Sequence, residues 1–210
     1  METLTMKTRL IFCFILFAGF TPQVSAQDYT KLEAAFEKSY YYENSGDYQK
    51  AITELKNVYL ADSYETNLRL GWLLYSSGSF TESSAYYQKA MNLKPFSVEA
   101  KLGYVLPVSS LGNWAVVKAE YLKILEIDPM NSVVNYRLGL MAYNTKDYAS
   151  ALKYFEKVVN MYPFDYDSVL MYAWANLQLG KLREAKVLFQ KVLLMKPGDS
   201  SANEGLKLVK

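Results

Sequence analysis

Apolar and polar residues alternate along most of the chain with a helical rhythm. Ala151, Tyr154, Phe155 and Val158 fall at i, i+3, i+4 and i+7, which places four apolar side chains on one helix face. That face returns at a fixed distance. Of the five prolines beyond residue 26, four stand at 95, 129, 163 and 197, each 34 residues from the next. Twelve residues before each proline stand Ser83, Val117, Ala151 and Ala185; eight before stand Tyr87, Tyr121, Phe155 and Phe189; five before stand Ala90, Ile124, Val158 and Val192. Seventeen before come Gly78, Gly112, Lys146 and Gly180. An earlier copy, with Ser63 in the proline's place, supplies Gly46, Tyr48, Ala51, Leu55 and Val58. Self-similarity at this period predicts a stacked array of five like units.

Each unit reads as two amphipathic helices on either side of the glycine. Glycine ends the first helix because it enters the left-handed cap conformation without steric cost. Asp47, Ser79, Asn113 and Asp147 follow it, all good N-caps, and Ser79 with Glu82 predicts a capping box; Lys181 is the exception. Ala51, Ser83, Ala151 and Ala185, with Gly71 and Gly139 on the first helices, permit close helix approach, and the aromatic eight before the proline fills the space beyond.

On these residues the chain resembles tetratricopeptide-repeat proteins from about Lys31 to Lys210. The text that carries the likeness is Leu70-Gly71 with Phe80 and Pro95, Leu138-Gly139 with Tyr148, Ala151 and Phe155, and Gly180 with Ala185, Phe189 and Pro197. The resemblance implies an all-α fold, a right-handed superhelical solenoid of stacked helix-turn-helix repeats at 31–63, 64–97, 98–131, 132–165 and 166–199. Copies one and two are offset by 32 instead of 34, which predicts a shortened junction between them. Val117 and Tyr104-Val105 replace small residues in copy three and predict looser packing there. Pro107, inside the first helix of that copy, predicts a kink. A solenoid needs polar ends. Lys38 supplies one at the first copy, and residues 200–210 read as a C-terminal capping helix with Ala202, Leu206 and Val209 inward and Asn203, Lys207 and Lys210 outward.

Residues 1–26 have a different character. Lys7 and Arg9 precede an apolar run, Leu10 to Phe20, and Val24-Ser25-Ala26 offers a small-residue cleavage site. The run has 11 residues against the roughly 20 a spanning helix needs, so the segment reads as a signal peptide cleaved after Ala26, followed by a short tail at 27–30. The chain is then exported, periplasmic or secreted, with no membrane span left. Cys13, the sole cysteine, leaves with the leader.

The 210 residues contain no histidine, which excludes an imidazole base and His-ligated metals. A net charge of +2 does not furnish the basic stripe that nucleic acid demands. No phosphate-cradling or nucleophile-elbow motif occurs, so neither enzymatic activity nor a cofactor is expected.

The resemblance implies that the first helices line a concave groove. Helical projection places Phe36, Tyr40, Leu68, Arg69, Trp72, Tyr75, Leu102, Leu106, Tyr136, Arg137, Leu140, Tyr143, Leu170, Met171 and Trp174 there. Glu33, Glu65, Glu99, Val133 and Asp167 draw a mostly acidic line along one edge. Aromatic residues and arginine dominate interface energetics, so the groove suits an apolar or aromatic peptide or protein segment, with a basic residue for the acidic edge. The family's chaperone-tail clamp of Lys, Arg and Asn is not reproduced. The alternative is that these side chains only pack against each other. Two other functions stay open: self-association into a homo-oligomer, for which Tyr86 and Tyr154 are expected to be exposed, and an accessory subunit of an envelope enzyme complex.

Overall fold

The computed structural model of the protein describes residues 26–209, and among these lie eleven α-helices and no strand. Helix α1 (Ala26–Asn44) pairs with α2 (Tyr48–Asn57), α3 (Tyr64–Ser76) with α4 (Phe80–Leu93), and α5 (Val98–Ser110) with α6 (Trp114–Ile127). Next, α7 (Ser132–Asn144) pairs with α8 (Tyr148–Met161), α9 (Tyr166–Gln178) pairs with α10 (Leu182–Met195), and α11 (Ser200–Leu208) packs on both α9 and α10. The architecture is an all-α helical-repeat solenoid. The expected leader at 1–26 lies outside the described residues except for Ala26. Residues 27–30, expected as a tail, already belong to α1. No helix among the described residues is long and apolar enough to cross a membrane.

The repeated packing positions form the core. Ala51, Ser83, Ala151 and Ala185 are fully buried, and Leu55, Tyr87, Tyr121, Phe155 and Phe189 are buried beside them. The reason is close approach. Ser83 Oγ donates to the Gly71 carbonyl at 2.6 Å, and a Cβ added at Gly71 would stand 2.9 Å from the Tyr87 ring. A Cβ at Gly139 would come within 2.6 Å of Phe155. Gly103 on α5 and Gly205 on α11 do the same from the next repeat: each would bring a Cβ to 2.2 Å from a ring, that of Tyr87 and of Phe189 respectively. Tyr87 is therefore held between glycines of two successive first helices.

The turns inside the repeats are left-handed, with φ from +72° to +83° at Gly46, Gly78, Gly112 and Gly180, and Lys146 adopts φ +64° in the same place. Asp47 and Asp147 accept from the Lys50 and Ser150 backbone N–H groups as N-caps. The Ser79–Glu82 capping box does not form. Ser79 accepts from Ser77 Oγ instead, and Glu82 reaches back to Lys56 of α2 at 2.6 Å, a charge-assisted contact that outcompetes a neutral cap.

A second set of caps escaped the sequence pattern. Ser63, Ser97, Asn131, Asp165 and Asp199 each accept from the backbone N–H three residues on, at the start of every first helix from α3 to α11. Ser63 therefore matches the cap Ser97, not a proline. The missing length between copies one and two falls in α2, 10 residues against 14 in α4, while the connection at 58–63 is longer than its counterparts, the reverse of a shortened junction. Copy three is looser, as Val117 and Tyr104 predict: α5 and α6 meet less extensively than the other pairs, and α6 meets α7 least of all consecutive helices. Pro107 nevertheless sits buried within a continuous α5 of 13 residues.

At the N-terminal end Lys38 is exposed and pairs with Glu54 at 3.3 Å. At the other end Ala202 and Val209 are buried and Leu206 packs against the same cluster, while Asn203 and Lys207 face solvent. Lys210 lies outside the described residues. Tyr86 and Tyr154, expected to be free for self-association, are half-buried: Tyr86 lies edge-on to Tyr59 at 5.7 Å, and Tyr154 packs against the Val117–Ile124 cluster.

Candidate functional site

First helices of four consecutive repeats share one cavity of about 970 Å³. Phe36 and Tyr40 come from α1, Leu68, Arg69 and Trp72 from α3, Leu102 and Leu106 from α5, and Arg137 and Leu140 from α7. They meet because each occupies the same helical register, so the projection of each helix points the same way. Gly103 lies in the register of Arg69 and Arg137; lacking a side chain, it opens the floor onto Tyr87 of α4, which also lines the cavity. Burial pushes the Tyr87 hydroxyl well above its ordinary value and keeps the floor uncharged.

Charge is arranged on two sides. Arg69 is 8% exposed and binds Glu43 of α1 at 2.6 Å through Nη1. Its Nε donates to Ser39 Oγ at 3.2 Å, and its guanidinium lies 3.8 Å from the centre of the Tyr40 ring. Trp72 Nε1 donates to the other Glu43 carboxylate oxygen. Arg137 is exposed and has no hydrogen-bond or ion-pair partner among the described residues. Glu65, one turn before Arg69 on α3, and Glu99, one turn before Gly103 on α5, line the same cavity. Glu99 accepts from the Tyr64 hydroxyl at 3.0 Å. The Glu65 carboxyl is held below its ordinary value by a backbone N–H of its own residue and then by Lys94. Glu33, the first residue of the acidic line, is exposed and outside this cavity.

Sequence signatures of the tetratricopeptide repeat match residues 64–97 and 142–207. Those two stretches are tetratricopeptide repeats, and the other described helix pairs share their helical-repeat fold. Solved structures of the same fold include a tetratricopeptide repeat protein from Parabacteroides merdae, 20% identical at a TM-score of 0.72 over 86% of this chain and 72% of that one. The MamA protein aligns at 20% identity and a TM-score of 0.68 over 79% of this chain and 92% of its own. MamA from Desulfovibrio magneticus gives 16% and 0.67 over 81% and 97%. At these identities the likeness speaks for the fold alone. No curated protein sequence matches the chain.

Within the repeats, six projected groove residues stand outside the main cavity. Tyr75 stacks between Trp72 and Phe80, at 6.0 and 5.8 Å between ring centroids. Tyr136 leans on Phe155 at 5.8 Å, Tyr143 on Tyr148 at 5.2 Å, and Met171 packs against the Ala151–Phe155–Ala175 cluster. Trp174, in the register of Trp72, meets Phe189 edge-on at 5.1 Å and donates its Nε1 hydrogen to Ser201 Oγ at 2.9 Å. The capping helix thus covers at Trp174 what stays accessible at Trp72, which is 40% exposed. Leu170 likewise joins the C-terminal core.

The projection missed Tyr64, Tyr121, Val105, Ser109, Met141, Asn144 and Trp114, all on the cavity wall. Trp114 is 58% exposed and also lines a neighbouring cavity of about 380 Å³ between α6, α7 and α8. Its signal was the apolar residue two after each turn glycine, a position half-buried at Tyr48, Phe80 and Tyr148.

Proposed function

We propose that the protein is a non-enzymatic scaffold that holds a peptide or protein segment of a partner in the cavity of α1, α3, α5 and α7. The observation that carries this reading is the sharing of one largely apolar cavity by four consecutive repeats, with Trp72, Arg69 and Arg137 on its wall and Glu65 and Glu99 along its edge. Aromatic and arginine side chains around a desolvated apolar centre are the usual source of binding energy at protein interfaces. The segment is apolar or aromatic, with a basic residue directed at Glu65 and Glu99. The leader-like pattern at 1–26 supports a role outside the cytoplasm, in the assembly of envelope or secreted complexes.

The test is affinity capture from the periplasm or medium with wild-type protein and with Trp72→Ala and Leu106→Asp. Both variants should keep the wild-type circular dichroism and lose the captured partner. Retention of the same partner by both would refute the groove. N-terminal sequencing of the captured protein should begin at Gln27; a start at Met1 would refute export with cleavage.

A further inference from the structure

A second cavity of about 330 Å³ lies on the acidic edge, between α7 and α9. Its lining is Ser132, Val133, Tyr136, Val158, Tyr162, Asp165, Asp167 and Ser168. Shifting each of these by 68 residues, two repeat periods, gives Tyr64, Glu65, Leu68, Ala90, Lys94, Ser97, Glu99 and Ala100. That set is Tyr64 and its own surroundings. Tyr64 is 9% exposed, packs on Ala90, Ala100 and Leu68, and its hydroxyl lies 2.8 Å from Ser97 Oγ and 3.0 Å from Glu99 Oε2. The Lys94 ammonium sits 4.1 Å above the ring centre. A shift of 34 in the other direction finds the same arrangement again: the Tyr166 hydroxyl donates to Asp199 Oδ2 at 2.6 Å, under Lys196.

The chain thus solves this inter-repeat junction twice with an internal tyrosine. In the third repeat Val98 occupies the position, Val133 stands where Glu99 would, and Asn131, in the place of Ser97 and Asp199, accepts only from the Val134 N–H, so the hydroxyl and the carboxylate disappear together. The fourth repeat alone separates them. Ser132 replaces the tyrosine, yet Asp165 and Asp167 both remain as acceptors, and the volume that the ring fills elsewhere persists as the cavity. Asp165 commits Oδ2 to the Ser168 N–H, which leaves Oδ1 in the role that Asp199 Oδ2 plays toward Tyr166.

We propose that this cavity is a socket for a tyrosine side chain presented by a partner polypeptide, its hydroxyl donating to Asp165 and Asp167. The wall suits a docked protein surface, since Val133 and Tyr162 in the lining are 55% and 54% exposed, and Phe164 and Met130, close in sequence to the lining segments, are 66% and 48% exposed. An anchor residue in a pocket with an apolar surround is the arrangement in which one side chain carries much of the binding energy. The socket shares only Val133 with the main cavity, so it stands whether or not the groove holds a peptide.

The probe is 4-methylphenol, the tyrosine side chain itself, titrated into the intact protein and followed by backbone amide NMR. Saturable shifts are expected at Ser132, Val133, Tyr136, Asp167 and Ser168, with toluene binding about tenfold more weakly for want of the hydroxyl. Ser132→Tyr should place a covalent ring in the socket, raise the melting temperature and abolish 4-methylphenol binding, while Ser132→Ala should bind as wild type does. Undiminished binding by Ser132→Tyr, equal binding of toluene, or no saturable shifts in the wild type would each overturn the proposal. A lower melting temperature for Ser132→Tyr would overturn it too, because the Tyr64 and Tyr166 sites show the ring to be accommodated.

Discussion

Asp199 ties the capping helix to the array, and its contribution can be removed by acid or by mutation. The residue is 4% exposed. Oδ1 accepts from the Ala202 N–H at 2.9 Å as the N-cap of α11, and Oδ2 accepts from Tyr166 at 2.6 Å and faces Lys196 at 3.2 Å. The Tyr166 hydroxyl, then the Ala202 N–H, pull its carboxyl from 3.8 down to about 2. At about 1.36 kcal/mol per pH unit that difference corresponds to about 2 kcal/mol of folded-state stability. Because the folded value is depressed, the stabilisation is complete above about pH 4 and is lost as the pH falls from about 4 to 2. Asp199→Asn keeps a cap oxygen and removes the charge. Urea denaturation should show the variant about 2 kcal/mol less stable at pH 7, or about 4–8 °C lower in melting temperature, with the gap closing by pH 2. An equal gap at both pH values, or none at pH 7, would refute the assignment of the stability to the carboxylate.

Trp174→Ala should cost about 3 kcal/mol in urea denaturation because it opens the space beside Phe189, whereas the exposed Trp72→Ala should cost under about 1 kcal/mol. Gly139→Ala gains about 1 kcal/mol in helix propensity but drives a methyl to 2.6 Å from Phe155, so a net loss of about 1 kcal/mol is expected in the same assay. Lys146→Gly should raise stability by about 1 kcal/mol, since φ +64° strains any residue with a Cβ. Lys101 and Glu120 are buried 4.0 Å apart, with Glu120 Oε2 unpaired by any hydrogen bond. Because Glu120 keeps Lys123 at 2.6 Å, Lys101→Met alone should destabilise by only about 1 kcal/mol, while Lys101→Met with Glu120→Leu should return to wild-type stability or exceed it, as thermal melts will show.

The core was legible because its residues repeat. Tyr87, Phe155 and Phe189 stand at one offset and pack at one place, so five weak signals added up to a fold. The groove was legible only in part, because projection tells where a side chain leaves its own helix and not what lies over it. Trp72 and Trp174 share a register, and the difference between them is α11, which settles over the second. Trp114 had no place in a projection of first helices alone, because it opens the second helix of the looser third repeat and reaches the cavity wall from there. Pro107 is buried within α5, which continues through it as one helix of 13 residues. The first-helix caps were missed because Ser, Asn and Asp are interchangeable there, so no single residue type marks the position.

The weak contact between α6 and α7 divides the array mechanically. Tyr87, clasped by two first helices, couples repeats two and three, and α11 couples to the last repeat; across residues 127 to 132 α6 and α7 share a buried cluster but no ring held between two glycines. In a nearest-neighbour array, such a seam separates two cooperative blocks. The main cavity draws its wall from both sides of it, Leu106 and Tyr121 on one and Val133, Arg137 and Leu140 on the other. A bound segment would therefore act as a splint: it would add free energy only to the state in which both blocks are folded and aligned, and fuse two unfolding steps into one.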